Sequence, residues 1–291
     1  PGVSNTWVFL LGLLMPIYTI TGYDASAHTS EETKNAALSS PRGIVSSIIW
    51  SGLFGYLFLV AFVLMIPNMD EAAKQGWNVF FWAMDQRVPD GTKQLMYWAI
   101  FVAQILCGLA TVTSASRMIF AFSRDGGLPF SKALATVSHK HRTPNAAIWT
   151  SAALAVLFVW GAKWLEAGGT PVYTVVVSCT VIFLFFSFAI PITLGLFTYG
   201  GKKWPKMGPW NIGREGFSLF AVLSIIAMVL IFFLGVQPPN ALAFKVTIGF
   251  FILTAIVWLL LENRRFQGPP IGDVIAKRQA AIAAAEAAMN K

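Results

Sequence analysis

The chain has 291 residues, of which 56% are apolar and only 12% are charged, and its net charge is +8. An ordinary soluble domain carries about a quarter charged residues, so this composition excludes a soluble protein and indicates an integral membrane protein. Because lipid offers backbone polar groups no partners outside a helix or a closed barrel, the long apolar runs predict a bundle of membrane-spanning helices.

The first apolar run, residues 7–28, is interrupted at membrane depth by the sequence Gly22-Tyr23-Asp24. A carboxylate near the bilayer centre costs about 3 kcal/mol, so such a residue usually faces a protein-lined cavity or a solute path. Secondary transporters use helices broken at the midplane to expose backbone groups to a solute. The segment therefore predicts a broken helix at a solute site.

Seven stretches reach the length of about 20 predominantly apolar residues that a membrane-spanning helix needs. They cover residues 7–28, 44–66, 95–122, 146–164, 171–199, 217–236 and 244–261.

Three polar segments outside these spans have distinct characters. Residues 67–94 have the amphipathic spacing of a short helix lying at the outer face. Residues 123–144 form a basic inner loop with glycine and proline stop signals. Residues 273–290 are rich in alanine and predict a helical tail.

The basic residues are distributed unevenly between the two predicted sides of the membrane. Fifteen of the 21 Lys and Arg residues lie in segments on one side and five on the other, with Arg117 inside a span. This positive-inside bias predicts that the first helix runs inward and that the C-terminus is cytoplasmic. The net positive charge is therefore attributed to topology, and no nucleic acid partner is predicted.

The chain carries no sign of an enzyme. The sequence shows no nucleotide-binding loop, no cluster with metal-ligand spacing and no Ser/His/Asp arrangement at a plausible surface, so neither a cofactor nor a metal is predicted. The chain opens at Pro1 with no signal peptide and has an odd number of spans, and it is expected to be the downstream part of a longer protein.

Three motifs resemble a known family. They are TGYDASAHTSEETKNAALSSPRGI from Thr21, SASRMIFAFSRDGGLP from Ser114, and GPWNIGREG from Gly208 followed by ENRRFQGP. Together they resemble an amino acid permease of the amino acid-polyamine-organocation (APC) superfamily. The likeness is greatest to its amino acid/choline transporter family, which includes GABA and choline permeases, and it covers nearly the whole chain.

The resemblance implies an all-α fold of twelve helices in a LeuT-like inverted repeat of five plus five. The seven spans would be its sixth to twelfth helices. Residues 1–199 would hold the second repeat, residues 200–264 two additional helices, and residues 265–291 a cytosolic tail helix. The first five helices would be missing, and since the substrate of this fold lies between the broken first and sixth helices, the chain would supply half a site.

The resemblance places the substrate site around the break. Tyr18 matches an aromatic residue that closes over the substrate, where its ring can occlude an apolar body or attract an ammonium group. Packing at the membrane interface is the alternative for this side chain. Backbone carbonyls of Thr19, Ile20 and Thr21, freed at the turn before Gly22, are expected to accept the substrate ammonium.

Three further residues are assigned by the resemblance, each with a structural alternative. Asp24 is expected to act in proton coupling or gating, or only to cap and pair locally, and His28 lies within its reach at i+4. Thr111 matches a substrate-facing position, although small hydroxyl residues also allow close helix packing. Arg117 is expected to form a cytosolic gate pair with an acid of the missing half, or to extend its side chain toward the interface.

The resemblance implies a secondary active transporter of amino acids or related amines such as GABA in the plasma or inner membrane. Proton symport is expected, and sodium stays open because the first and fifth helices, which would distinguish the two, are missing. A choline- or polyamine-type cation transporter and a sensor that moves no solute are the alternatives. Polarity at the midplane is costly, and a pure scaffold has no need of it, so the sequence favours transport.

Overall fold

The computed structural model describes residues 4–138, 140–162, 170–201, 207–237 and 241–264, together with residues 164, 166, 167, 204, 266 and 268. In this part of the chain, seven segments are helical, long enough and apolar enough to cross a membrane, as the sequence predicts. They are Asn5–His28, Ala36–Met65, Asp90–Arg124, Asn145–Ala162, Cys179–Thr198, Gly213–Gly235 and Leu242–Arg264. The protein is therefore an all-α, multi-pass membrane protein.

The first of these segments consists of three helices, α1 (Asn5–Gly12), α2 (Leu14–Ile20) and α3 (Ala25–His28). The sequence predicts one interruption, at Gly22, but the structure has a second at Leu13. Pro16 lies in the first turn of α2, where its missing N–H leaves no helical hydrogen bond unmade, and it therefore suits the start of a new helix.

The remaining elements follow the predicted spans and loops closely. In chain order they are α4 (Ala36–Met65), α5 (Met69–Lys74), α6 (Val79–Arg87), α7 (Asp90–Arg124), α8 (Ser131–Leu134), α9 (Asn145–Ala162), α10 (Val172–Thr198), α11 (Gly213–Gly235) and α12 (Ala241–Leu260). A two-stranded antiparallel hairpin, β1 (Glu166–Ala167) with β2 (Thr170–Pro171), precedes α10. The tail helix predicted at residues 265–291 lies outside the described residues, apart from Phe266 and Gly268.

The predicted amphipathic segment between α4 and α7 contains two helices, α5 and α6. Aromatic contacts join this segment to its neighbours. The ring centroid of Phe80 lies 5.3 Å from that of Phe62 of α4, and the ring centroid of Phe81 lies 5.8 Å from that of Tyr97 of α7. Lys93 Nζ of α7 also lies 2.8 Å from Asp85 Oδ1 of α6. The segment is thus a folded part of the protein that packs against both of the helices that it joins.

The chain divides into two compact units. The first comprises the described residues of Pro1–Ser114 and Leu157–Ile248, and the second those of Ala115–Val156 and Gly249–Lys291. In the first unit, a buried cluster forms where α10 packs against α11 and the start of α12, and it contains Val175, Cys179, Ile182 and Ala243. In the second, Phe266 contacts both Phe122 and Trp258, with ring centroids 5.7 and 5.6 Å apart.

Candidate functional site

The helix break lies where the sequence predicts it. Helix α2 ends at Ile20, and four turn residues separate it from Ala25, the first residue of α3. Gly22 has φ +97°, a conformation that residues with a Cβ rarely adopt, so this turn depends on glycine. Thr21 closes the last turn of α2, since its hydroxyl donates to the Ile17 carbonyl at 2.8 Å.

Helix α4 packs closely against both sides of the break. A Cβ atom at Gly55 would overlap the methyl group of Thr19 in α2, and a Cβ atom at Gly43 would lie 2.9 Å from the Ser26 hydroxyl in α3. Small residues let two membrane helices approach closely, and α4 presents them at each point of contact. The sequence prediction had not identified either contact.

An aromatic pair holds the turn from a second direction. The ring of Tyr23 lies 5.7 Å from that of Phe188 on α10, at an interplanar angle of 42°. This geometry is within the range of favourable aromatic contacts. The break is therefore supported by α4 and by α10, and Phe188 is a further supporting residue that the sequence prediction had not included.

Asp24 and His28 form a pair across the four residues of α3. Asp24 Oδ2 lies 3.1 Å from His28 Nε2, and their side chains are 19% and 25% exposed. The sequence spacing of i and i+4 predicts this contact, and the structure confirms it. The pair places a mostly buried carboxylate beside an imidazole directly after the break.

The other candidate residues before the break differ in accessibility. Tyr18 is 40% exposed, so part of its ring is open to a ligand or to another helix. Thr19 is exposed although its methyl group contacts α4, and Ile20 is half-buried. These three residues end α2, and their contacts with a substrate remain a prediction.

The two candidates on α7 make hydrogen bonds close to their own positions. The Thr111 hydroxyl donates to the Cys107 carbonyl at 2.9 Å, which leaves its oxygen able to accept from a donor. Arg117 belongs to the second unit and is half-buried, and its Nη1 donates to the hydroxyl of the fully buried Ser116 at 3.2 Å. The assignment of Thr111 to the substrate and of Arg117 to a gate remains a prediction.

Among the described residues, no group of three or more His, Cys, Asp or Glu side chains is arranged to hold a metal ion. The predicted site residues supply backbone groups, hydroxyls, one aromatic ring, the guanidinium of Arg117 and the Asp24–His28 pair.

Comparison with known proteins gives one consistent result. A family model described as "Amino acid permease" matches residues 1–261. The chain is 36% identical over 282 residues to the "Amino-acid permease BAT1 homolog" of Oryza sativa subsp. japonica, a match that covers 91% of this chain and 53% of that protein. It is 33% identical to the "Amino-acid permease BAT1" of Arabidopsis thaliana, with the same coverage.

A fungal amino-acid permease matches the chain over a similar length. The "Amino-acid permease 2" of Neurospora crassa is 29% identical over 280 residues, covering 91% of this chain and 49% of that protein. The chain thus spans about half the length of the curated relatives it matches. No solved structure matches the chain.

Proposed function

The chain belongs to the amino acid permease family, and we propose that it forms the second half of a proton-coupled secondary active transporter of amino acids or related amines such as GABA. The observation that carries the proposal is the helix interrupted at Gly22, with the partly buried Asp24–His28 pair directly after it. A permease has no need of a catalytic residue or cofactor, and its function rests on binding and conformational change.

The proposed substrate contacts lie on the residues before the break. A helix that ends within the membrane leaves its last carbonyls without helical partners, so the carbonyls of Thr19, Ile20 and Thr21 are suited to accept an ammonium group. The accessible ring of Tyr18 would cover the substrate from one side, with a cation–π attraction of about 0.5 to 2 kcal/mol for an amine. The Thr111 oxygen would accept a further hydrogen bond.

Proton coupling is assigned to Asp24. When Asp24 is ionised, it attracts a protonated His28 across α3; when it takes up a proton, this attraction is lost. Its protonation would therefore change how tightly α3 is held beside the break. Sodium coupling is the competing mechanism, and a gradient experiment separates the two.

Two features of the proposal concern the whole protein. The relatives are about twice as long as this chain, and the missing helices would supply the other half of the site and an acidic partner for Arg117. We also propose that the seven spans are the sixth to twelfth of the family's helices, in a plasma or inner membrane, with the C-terminus in the cytoplasm as the basic residues indicate.

The decisive experiment is uptake by the full-length protein in liposomes. Labelled amino acids, GABA, choline and a polyamine are supplied under an inward proton gradient, and then under a sodium gradient. Accumulation of an amino acid or GABA that depends on the proton gradient would support the proposal. Uptake of choline or the polyamine alone would contradict the substrate class, dependence on sodium would contradict the coupling, and no uptake of any compound would favour a sensor.

A second sample tests the half-site. The isolated 291-residue chain, in the same liposomes, is expected to accumulate none of the compounds that the full-length protein accumulates. Uptake by the isolated chain at a comparable rate would show that the site does not require the missing helices.

A further inference from the structure

The loop between α7 and α9, residues 125–144, carries exposed positive charge that the proposed transport does not use. Lys132, Lys140 and Arg142 are exposed. The single carboxylate of the loop, Asp125, lies 3.1 Å from Nε of Arg124 at the end of α7. The loop thus presents three cations without a carboxylate of its own to balance them.

Two large aromatic side chains near these cations in the sequence are exposed. Phe130 is 82% exposed and Trp149, in the second turn of α9, is 75% exposed. Phe130 lies a few residues after the end of α7, and Trp149 lies near the start of α9. Aromatic residues are enriched at such positions, where a membrane-spanning helix meets the boundary between lipid and water. An exposed Phe at this depth favours contact with lipid.

The loop is folded. Gly127 N–H donates to the Phe122 carbonyl at 2.9 Å, and Leu128 and Ser131 are hydrogen-bonded to each other. Farther along, Ser138 N–H donates to the Thr143 carbonyl at 2.9 Å and Arg142 N–H donates to the Ser138 carbonyl at 2.8 Å. These bonds shape the backbone near the exposed side chains in the part of the loop that the structure describes.

Two of the exposed residues occupy backbone conformations that their side chains disfavour. Phe130 has φ +59° and Arg142 has φ +51°, in the left-handed region where glycine and asparagine are more common. A large apolar ring and a guanidinium group are thus retained at positions that small residues would suit better.

We propose that the loop of residues 125–144 binds anionic phospholipid at the cytoplasmic surface of the membrane, with Lys132, Lys140 and Arg142 on the phosphate headgroups and Phe130 among the upper acyl chains. Clusters of basic residues next to a membrane-spanning helix attract anionic lipid, and the orientation inferred from the basic residues places this loop at the cytoplasmic leaflet. The proposal rests on the proposed orientation of the chain in the membrane, but it does not depend on the substrate or on transport.

The experiment measures lipid binding to the full-length protein. The protein is immobilised in a neutral detergent, and retention of radiolabelled phosphatidylglycerol and phosphatidylcholine is titrated. We expect the wild type to prefer phosphatidylglycerol, and the triple variant K132Q/K140Q/R142Q to lose that preference, by roughly fivefold in affinity for each cation removed. Equal retention of phosphatidylglycerol by the triple variant and the wild type would overturn the proposal.

A matched triple variant, K74Q/R87Q/K245Q, removes three exposed cations from the segments assigned to the opposite side. It is expected to bind phosphatidylglycerol as the wild type does, and an equal loss in this control would reduce the effect to net charge and overturn the assignment. Thermal unfolding verifies that both variants are folded. If the first triple variant does not fold, the single variants K132Q and K140Q replace it, and retention of phosphatidylglycerol equal to that of the wild type in both would overturn the proposal.

The contribution of the ring is tested with F130N, because asparagine tolerates the left-handed conformation and replaces the aromatic ring with a small polar group. We expect weaker retention of phosphatidylglycerol with its salt dependence preserved, and unchanged retention would overturn the role of Phe130. Soluble glycerol phosphate at millimolar concentration should not displace the lipid. Complete displacement would identify a site for free phosphate and contradict the proposed lipid contact.

Discussion

The methyl group of Thr19, in the last turn before the helix break, occupies the space that a side chain on Gly55 of α4 would need. A Gly55→Ala substitution must therefore displace α2 or rotate Thr19. We expect it to lower the free energy of unfolding of the full-length protein by about 1 to 3 kcal/mol, the usual cost of overpacking. Thermal unfolding in detergent measures the effect.

Two variants make this prediction specific. Gly52→Ala, one turn away on α4, meets no atom within 4 Å and should be neutral. Thr19→Ser removes the methyl group and should restore most of the stability that Gly55→Ala loses. If Gly52→Ala and Gly55→Ala are equally destabilising, contact with lipid or with another helix rather than Thr19 is the cause, since alanine favours a helix more than glycine does.

The turn at Gly22 depends on its positive φ. Gly22→Ala should destabilise the break by at least about 1 kcal/mol and reduce uptake, because a Cβ at φ +97° is strained even in open space. Gly91→Ala, which also meets no atom within 4 Å but has an ordinary φ, is the control. Uptake and thermal unfolding are measured for both, and a Gly22→Ala protein equal to the wild type would contradict the dependence on glycine.

Tyr18 is expected to act through its ring. Tyr18→Ala should raise KM for uptake roughly two- to thirtyfold, in line with the loss of a cation–π contact, with a smaller effect on the maximal rate. Tyr18→Phe keeps the ring and should resemble the wild type. A packing role would instead lower the thermal stability of Tyr18→Ala and leave KM unchanged, so the two measurements together separate binding from packing.

Asp24→Asn mimics the protonated acid at every pH. We expect this variant to fold normally but to lose accumulation driven by a proton gradient, because the residue can no longer change its charge. His28→Gln keeps a side-chain N–H for Asp24 and should retain more of the gradient response. Asp70→Asn, an exposed acid at the start of α5, is the control, and a normal gradient response in Asp24→Asn would refute the coupling role.

Hydropathy and composition predict the seven spans because each is a long local signal. The break at Gly22 is predictable for the same reason, since Gly-Tyr-Asp interrupts an apolar run at a depth where polarity is costly. The interruption at Leu13 has only Pro16 as a local sign, and proline is common inside membrane helices. A short signal within an apolar segment is easily overlooked.

The contacts that support the break were not predictable from the sequence. Gly43 and Gly55 indicate that α4 packs closely against another helix, but small residues in the sequence do not identify which helix it is. The ring pair of Tyr23 and Phe188 joins residues 165 positions apart in the chain, and no local pattern connects them. The Asp24–His28 pair, by contrast, follows from helical spacing alone.

The two glycine contacts of α4 have a mechanical consequence. Gly43 and Gly55 are twelve residues apart, about 18 Å along a helix, and one touches the segment after the break while the other touches the segment before it. Helix α4 therefore bridges the two segments of the interrupted helix and restricts their relative movement. The chain at Gly22 cannot hinge freely, since any bend there must open one of the two contacts or carry α4 with it.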